Sequence, residues 1–253
     1  MLAALVLLSL PLHAVDGRQA LSWPARCFPA ERWNLRIKAL GVTGAHATVD
    51  IPGGCDAALT HVFARVETTQ LISFVWRVKD SLHTTLQPAP VQTVSTVITE
   101  LENDKPDART DVYQPTRIIT RWTGKNPREV ITPTPHGAQD PFAVLLALRG
   151  APLLDGDIYQ VPVFSKDAVY DGTVTVVGRV HGEAMGKPAR LVLLRATFMK
   201  DGKVSRVRAD IFLTDDALRL PVRVEAGTRF GHLVAVMDSV ENVPPAAVTV
   251  PPP

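Results

Sequence analysis

The chain has 253 residues, 46% hydrophobic and 21% charged, with 27 basic side chains against 25 acidic ones for a formal charge of +2. That is length enough for one well-filled core or two small ones. The charge balance is too even for a nucleic-acid partner, which needs clustered Lys and Arg, and aromatic residues at 6% are too sparse for a base-stacking surface.

The chain opens on an apolar run, MLAALVLLSLPLHAVDG, with no charge before Asp16. At roughly 11 apolar-rich positions it is too short to span a bilayer, which takes about 20 residues. It has the length of a signal-peptide core, with the small residue Ala14 as a cleavage candidate. Residues 1–14 are therefore read as a signal peptide removed on export to the periplasm, leaving no transmembrane span in the mature chain. Two features depart from the usual pattern: no Lys or Arg precedes the run, and Leu12 is bulky for its place. The other reading is a buried N-terminal strand or helix. Residues 15–32 form a Pro-broken leader. Cys27 is followed only by Cys55. In an oxidising compartment the two can pair, closing a loop of about 28 residues worth roughly 3 kcal/mol of chain entropy; otherwise they are two small hydrophobes. Without a CxxC they form neither a zinc nor a redox motif.

From residue 33 the pattern is that of strands. RWNLRIKAL places Trp33, Leu35, Ile37 and Ala39 on one face and Asn34, Arg36 and Lys38 on the other, the alternation of a strand with one wet face. GVTG reads as a turn and AHATVDI as the returning strand. THVFARVETT and LISFVWRVKDSLHT form a second pair joined near Thr69–Gln70, VQTVSTVIT is a further strand, and RIITRW and REVIT flank a TGKNP turn. The middle of the chain breaks the pattern. Asp140 is placed as a helix N-cap and Pro141 at the first helical position; an apolar run from Phe142 to Leu148 follows, and Gly150 stands as the stop. The result is one helix of roughly two to three turns, too apolar to be wet all round. Strands then resume through DIYQVPVFS, AVYDGTVTVVGRVHG, ARLVLLRATFM, RVRADIFLTD, LPVRVEAGT and GHLVAVMDSV, with KDGK as a compact hairpin turn. Residues 33–243 thus make one mostly antiparallel β domain, and residues 244–253 a Pro-rich tail without a packing pattern.

Catalytic patterns are absent. No serine has glycines two before and two after it, no HExxH or Walker loop occurs, and the seven histidines never fall at helical or alternate-strand spacing. The glycines of GRVHGEAMG read as loop punctuation. Asp215 and Asp216 are the one paired carboxylate that invites an acid/base reading, but neighbours on a strand or turn usually point apart. The plainer reading is a turn: aspartate accepts from backbone N–H groups, Arg219 supplies a partner for a carboxylate, and Pro221 begins the next strand where no ladder donor is needed.

Three stretches resemble the domain of unknown function 3108 family. FLTDDALRLPVRVEAGTRFG is similar to its closing signature, with Asp215, Asp216, Arg219 and Pro221 at the matching places. DPFAVLLALRGAPLLDGD resembles its central helix, starting at Asp140 and closing on Arg149. LRIKALGVTGAHATVDI resembles its opening hairpin with the Gly44 turn. The likeness spans about residues 33–240; Phe212–Leu213 departs from it where the family often has Trp. It implies export by a Gram-negative bacterium and an antiparallel sheet curled into a half-open barrel around one short helix, similar to the periplasmic lipoprotein carriers. It assigns no reaction, cofactor or metal.

The expectation is a monomeric, non-enzymatic protein of the cell envelope that binds a lipid or other hydrophobic ligand in a concave groove, or serves as a scaffold. The alternatives are an enzyme acting on an envelope polymer through Asp215, Asp216 and Arg219, and a structural component without a ligand.

Overall fold

Period-two alternation carries into the folded chain as one large sheet. The computed structural model describes residues 18–20, 29–53, 59–74, 77–88, 91–124, 126–134, 137–228 and 231–242. The signal peptide, Cys27, Cys55 and the Pro-rich tail proposed from sequence lie outside the described residues.

In chain order the elements are β1 (Arg18–Ala20), β2 (Glu31–Ala39), β3 (Val42–Ile51), β4 (Thr60–Thr68), the single turn α1 (Gln70–Ser73), β5 (Lys79–Pro88), β6 (Val91–Glu102), β7 (Lys105–Gln114), β8 (Arg117–Trp122) and β9 (Arg128–Pro133). Helix α2 (Pro141–Gly150) follows, then β10 (Ile158–Ser165), β11 (Ala168–Ala184), β12 (Lys187–Lys200), β13 (Lys203–Thr214), β14 (Pro221–Thr228) and β15 (Gly231–Asn242). The ladder runs β1-β10-β11-β12-β13-β14-β15-β2-β3-β4-β5-β6-β7-β8-β9. Every pairing is antiparallel except that of β1 with β10. The sheet is not closed by hydrogen bonds, since β1 and β9 are its two edges.

The two ends of the sheet nevertheless face one another. Arg128 of β9 pairs with Asp167 in the β10–β11 turn at 3.3 Å. Gln139, just before α2, bridges Val163 of β10 in parallel, its N–H donating to Pro162 O and its carbonyl accepting from Phe164 N. Buried Phe164, Ile118 and Ala138 fill the seam. The part of β10 beyond its pairing with β1 is thereby covered, which removes an open template for association. The half-open barrel expected from the family likeness is what forms.

Among the described residues five hairpins turn on two residues that both have positive φ, including Leu40–Gly41 (51° and 81°), Lys166–Asp167 (48° and 62°) and Asp201–Gly202 (50° and 72°). Such turns match the right-handed twist of the strands they join. The first corrects the expected GVTG turn: the chain reverses at Leu40–Gly41, and Gly44 lies inside β3, where the register with β2 shifts between Ile37 and Lys38. Gly178 is a bulge residue at φ 144° in β11, so the GRVHGEAMG stretch is strand and hairpin more than loop. Residues 71–73, read as strand, instead belong to α1.

Helix α2 sits in the concavity. Ala143 and Leu146 join a cluster with Trp33, Val62, Leu86 and Met237. Val144, Leu148 and Ala151 join a second cluster with Tyr159, Val161, Val176 and Leu194. A helix apolar on both sides belongs between two such surfaces. Gly150 is its last residue and the chain leaves through Ala151 in extended conformation, so Gly150 does not serve as the left-handed stop expected of it.

Candidate functional site: an apolar cleft beneath the central helix

Both ends of α2 are tied to the sheet by buried polar groups. At its start Asp140, 2% exposed, accepts from Phe142 N at 2.7 Å and Ala143 N at 3.2 Å. Its other oxygen lies 3.0 Å from the Thr93 hydroxyl of β6, and that hydroxyl accepts from Asp140 N. Burial pushes the Asp140 carboxyl up to about 6; the Thr93 and backbone bonds oppose this, and Asp111 adds to it. At the far end Arg149 is fully buried. Its Nη2 donates to Glu31 Oε1 at 3.0 Å and Oε2 at 3.2 Å, its Nε reaches the carbonyls of Leu218 and Arg219, and it lies 5.2 Å from the Trp33 ring. Trp33 Nε1 donates to the same Glu31 at 2.7 Å.

The Asp215–Asp216–Arg219 loop is the socket for that arginine. Asp216 Oδ1 accepts from Thr214 Oγ1 at 2.8 Å, Leu218 N at 2.9 Å and Arg219 N at 3.0 Å, which aims the loop carbonyls at α2. Asp215 pairs with Arg190 at 3.0 Å and Arg179 at 3.5 Å, on the neighbouring strands β12 and β11. Arg219, at φ 49°, sends Nη2 to the carbonyl of Pro152. Buried Pro221 opens β14 opposite Leu213. The structure therefore brings Arg149 and the loop together, with Asp140 one helix length away. The two aspartates point to different partners, as expected of neighbours.

Between α2 and strands β10–β14 runs an apolar cleft of about 230 Å³. The helix contributes Pro141, Val144, Leu145 and Leu148; the sheet contributes Val161, Val174, Ala196 and Ile211 among others. Pro141, Val163 and Phe198 also line a second cleft of about 350 Å³, so the two adjoin. This outer part adds Ser165, Lys166, Tyr170 and Ser205. Such a form, an apolar interior with a few polar groups at one end, is that of a small-molecule site.

Sequence reasoning missed three groups. The lysines at the mouth sit at hairpin ends, where the parity of Ala196, Phe198 and Lys200 along β12 was the available signal. Arg109 and Asp111, buried and 3.3 Å apart, lie on β7, a strand whose charges hid its alternation. His61 Nδ1 lies 3.1 Å from His83 Nε2 with Phe63 stacked on His83 at 4.3 Å; this pairing crosses β4 and β5, which linear spacing does not register. Burial lowers the His83 pKa, and His61 adds to the effect. Among the described residues no group of three or more metal-ligating side chains gathers.

Fold and cleft together define an open, barrel-like antiparallel sheet with a helix seated inside it. A crystal structure of the same class, a beta-barrel-like protein of domain of unknown function DUF1849 from Brucella abortus, superposes with a TM-score of 0.56 at 13% identity, covering 84% of this chain and 97% of that one. A presumed lipoprotein from Parabacteroides distasonis is matched over 88% of this chain and 100% of that one at 9% identity, with a TM-score of 0.35. A search of curated proteins finds no match to the chain. The chain belongs to the DUF3108 family, proteins of unknown function, whose family model matches residues 33–238. Among the described residues no helix is long and apolar enough to cross a membrane.

Proposed function

We propose that this is an exported cell-envelope protein that holds the apolar part of a lipid or similar ligand in the cleft beneath α2. The observation that carries the reading is the cleft itself, walled by the helix on one side and five strands on the other, and adjoining a second cleft with polar groups in its lining. Export rests on the signal-peptide character of residues 1–14. The role is one of binding, not of catalysis: Asp215, Asp216 and Arg219 are committed to ion pairs and loop bonds that seat α2.

The test is native mass spectrometry of the protein purified from its own envelope without denaturant. The expected result is a folded species carrying a lipid-sized adduct, which the stripped protein regains from an envelope lipid extract. Burial of one methylene is worth about 0.8 kcal/mol, so each carbon removed from the tail of a rebinding ligand should weaken affinity roughly fourfold. A clean unliganded mass and no rebinding would overturn the proposal in favour of a structural component.

A further inference from the structure

We infer that the ligand is an amphiphile with an anionic headgroup, its tail in the cleft and its head held by Lys166, Lys200 and Lys203. The inference rests on the cleft being a binding site and names the chemistry of what enters it.

Charge lies to one side of the apolar cleft. The inner cleft is lined by aliphatic and aromatic carbon, with no charged residue in its lining. Charge begins where the outer cleft meets solvent. Lys166 lines that outer part from the β10–β11 turn. Lys200 continues the inward alternation of Ala196 and Phe198 along β12, and its ammonium lies 6.0 Å from the centroid of the Tyr170 ring, which lines the same cleft. Lys203 is paired directly opposite Lys200 across the Asp201–Gly202 turn, and side chains of directly paired residues share a face of the sheet. Lys166 and Lys200 thus border one cleft from two adjacent hairpin tips, Lys203 shares the face of Lys200, and Ser165 and Ser205 line the same cleft.

The acid next to Lys166 in the same turn is already paired. Asp167 is engaged by Arg128 at 3.3 Å. Asp80, on β5, is near enough to feel the charge of Lys166. Lysine stems can lie along the apolar rim while their ammonium groups stay in water, and a carboxylate or phosphate there would gain from each of them. A cationic or uncharged head would not.

The experiment is calorimetric titration of the purified, delipidated protein with three ligands of one tail length below their micelle concentrations. These are dodecanoate, monododecanoylglycerol and dodecyltrimethylammonium, with negative, neutral and positive heads. Dodecanoate should bind most tightly and the ammonium ligand most weakly. The gap should shrink in high salt, because exposed charges are screened within about 10 Å or less. Replacing all three lysines (K166Q, K200Q and K203Q together) should cost dodecanoate roughly tenfold in affinity and leave the neutral ligand unchanged. Equal binding of all three ligands would overturn the headgroup assignment while leaving the cleft reading in place. Binding of none would overturn the cleft reading, and this inference with it. The wild-type comparison stands even if the triple variant folds poorly.

Discussion

Asp140 shows how one residue can be both a cap and a cost. As an N-cap it satisfies two orphan donors of α2, and a negative charge there is favoured by the helix dipole. Yet it is wholly enclosed, and burial outweighs those bonds enough to raise its pKa from 3.8 to about 6. Folding therefore takes up a proton between those two values. Its stabilising contribution is complete below about pH 4 and is lost as pH rises through about 6, the reverse of an ordinary ion-paired carboxylate. A shift of roughly two units corresponds to about 3 kcal/mol. Asn caps well without titrating, so D140N should gain stability relative to the wild type as pH goes from 4 to 7, by an amount of that order. Denaturant unfolding of both proteins across that range measures it. A constant difference, or one of opposite sign, would show that the carboxylate is better solvated than its burial implies. The cap was legible in the sequence because Asp-Pro followed by an apolar run is a local signal. Its burial was not, since Thr93, which meets it, lies 47 residues away in the chain.

At the scale of elements, α2 is held less by its own propensity than by its two ends. Ten residues are marginal as an isolated helix, and in the C-terminal anchor, Arg149 to Glu31 and to the 218–219 carbonyls, the ion pair is buried. Burial pushes the Arg149 pKa down and Glu31 opposes that push. Removing one member of a buried pair strands the other and costs about 3–5 kcal/mol, whereas replacing both by apolar groups is often close to neutral. R149M should accordingly destabilise strongly, and E31M combined with R149M should recover most of the loss in thermal or denaturant unfolding. Additive single effects would show that the pair is not a unit. The element order was largely legible, because strand alternation and the Asp140–Pro141 start are local. Lys105–Gln114 was not, since its inward residues Arg109, Asp111 and Tyr113 include a buried ion pair where an apolar strand face was expected. Nor was the bond from Arg149 to the 218–219 loop, although both stretches stood out separately: their contact spans about seventy residues and depends on how the sheet curls.

The whole molecule is a curved sheet whose ends nearly meet around a helix that does not quite fill it. The half-open barrel could be expected from the family likeness, but the location and shape of the unfilled space could not. They depend on small side chains such as Ala196 and Ala209 facing α2 and on how far the helix sits from β10–β14. The account turns on that space accepting an apolar chain. The measurement that addresses it most directly is paramagnetic relaxation in a methyl-resolved NMR spectrum, using a twelve-carbon ligand with a nitroxide near its tail end. Methyl groups of Val144, Leu148, Val174 and Ile211 should broaden, while those of Val62 and Leu86 on the other side of α2 should stay sharp. Broadening instead at the exposed Val204 and Met199 of the β12–β13 hairpin, or no broadening at any core methyl, would place the ligand outside the cleft and contradict the account.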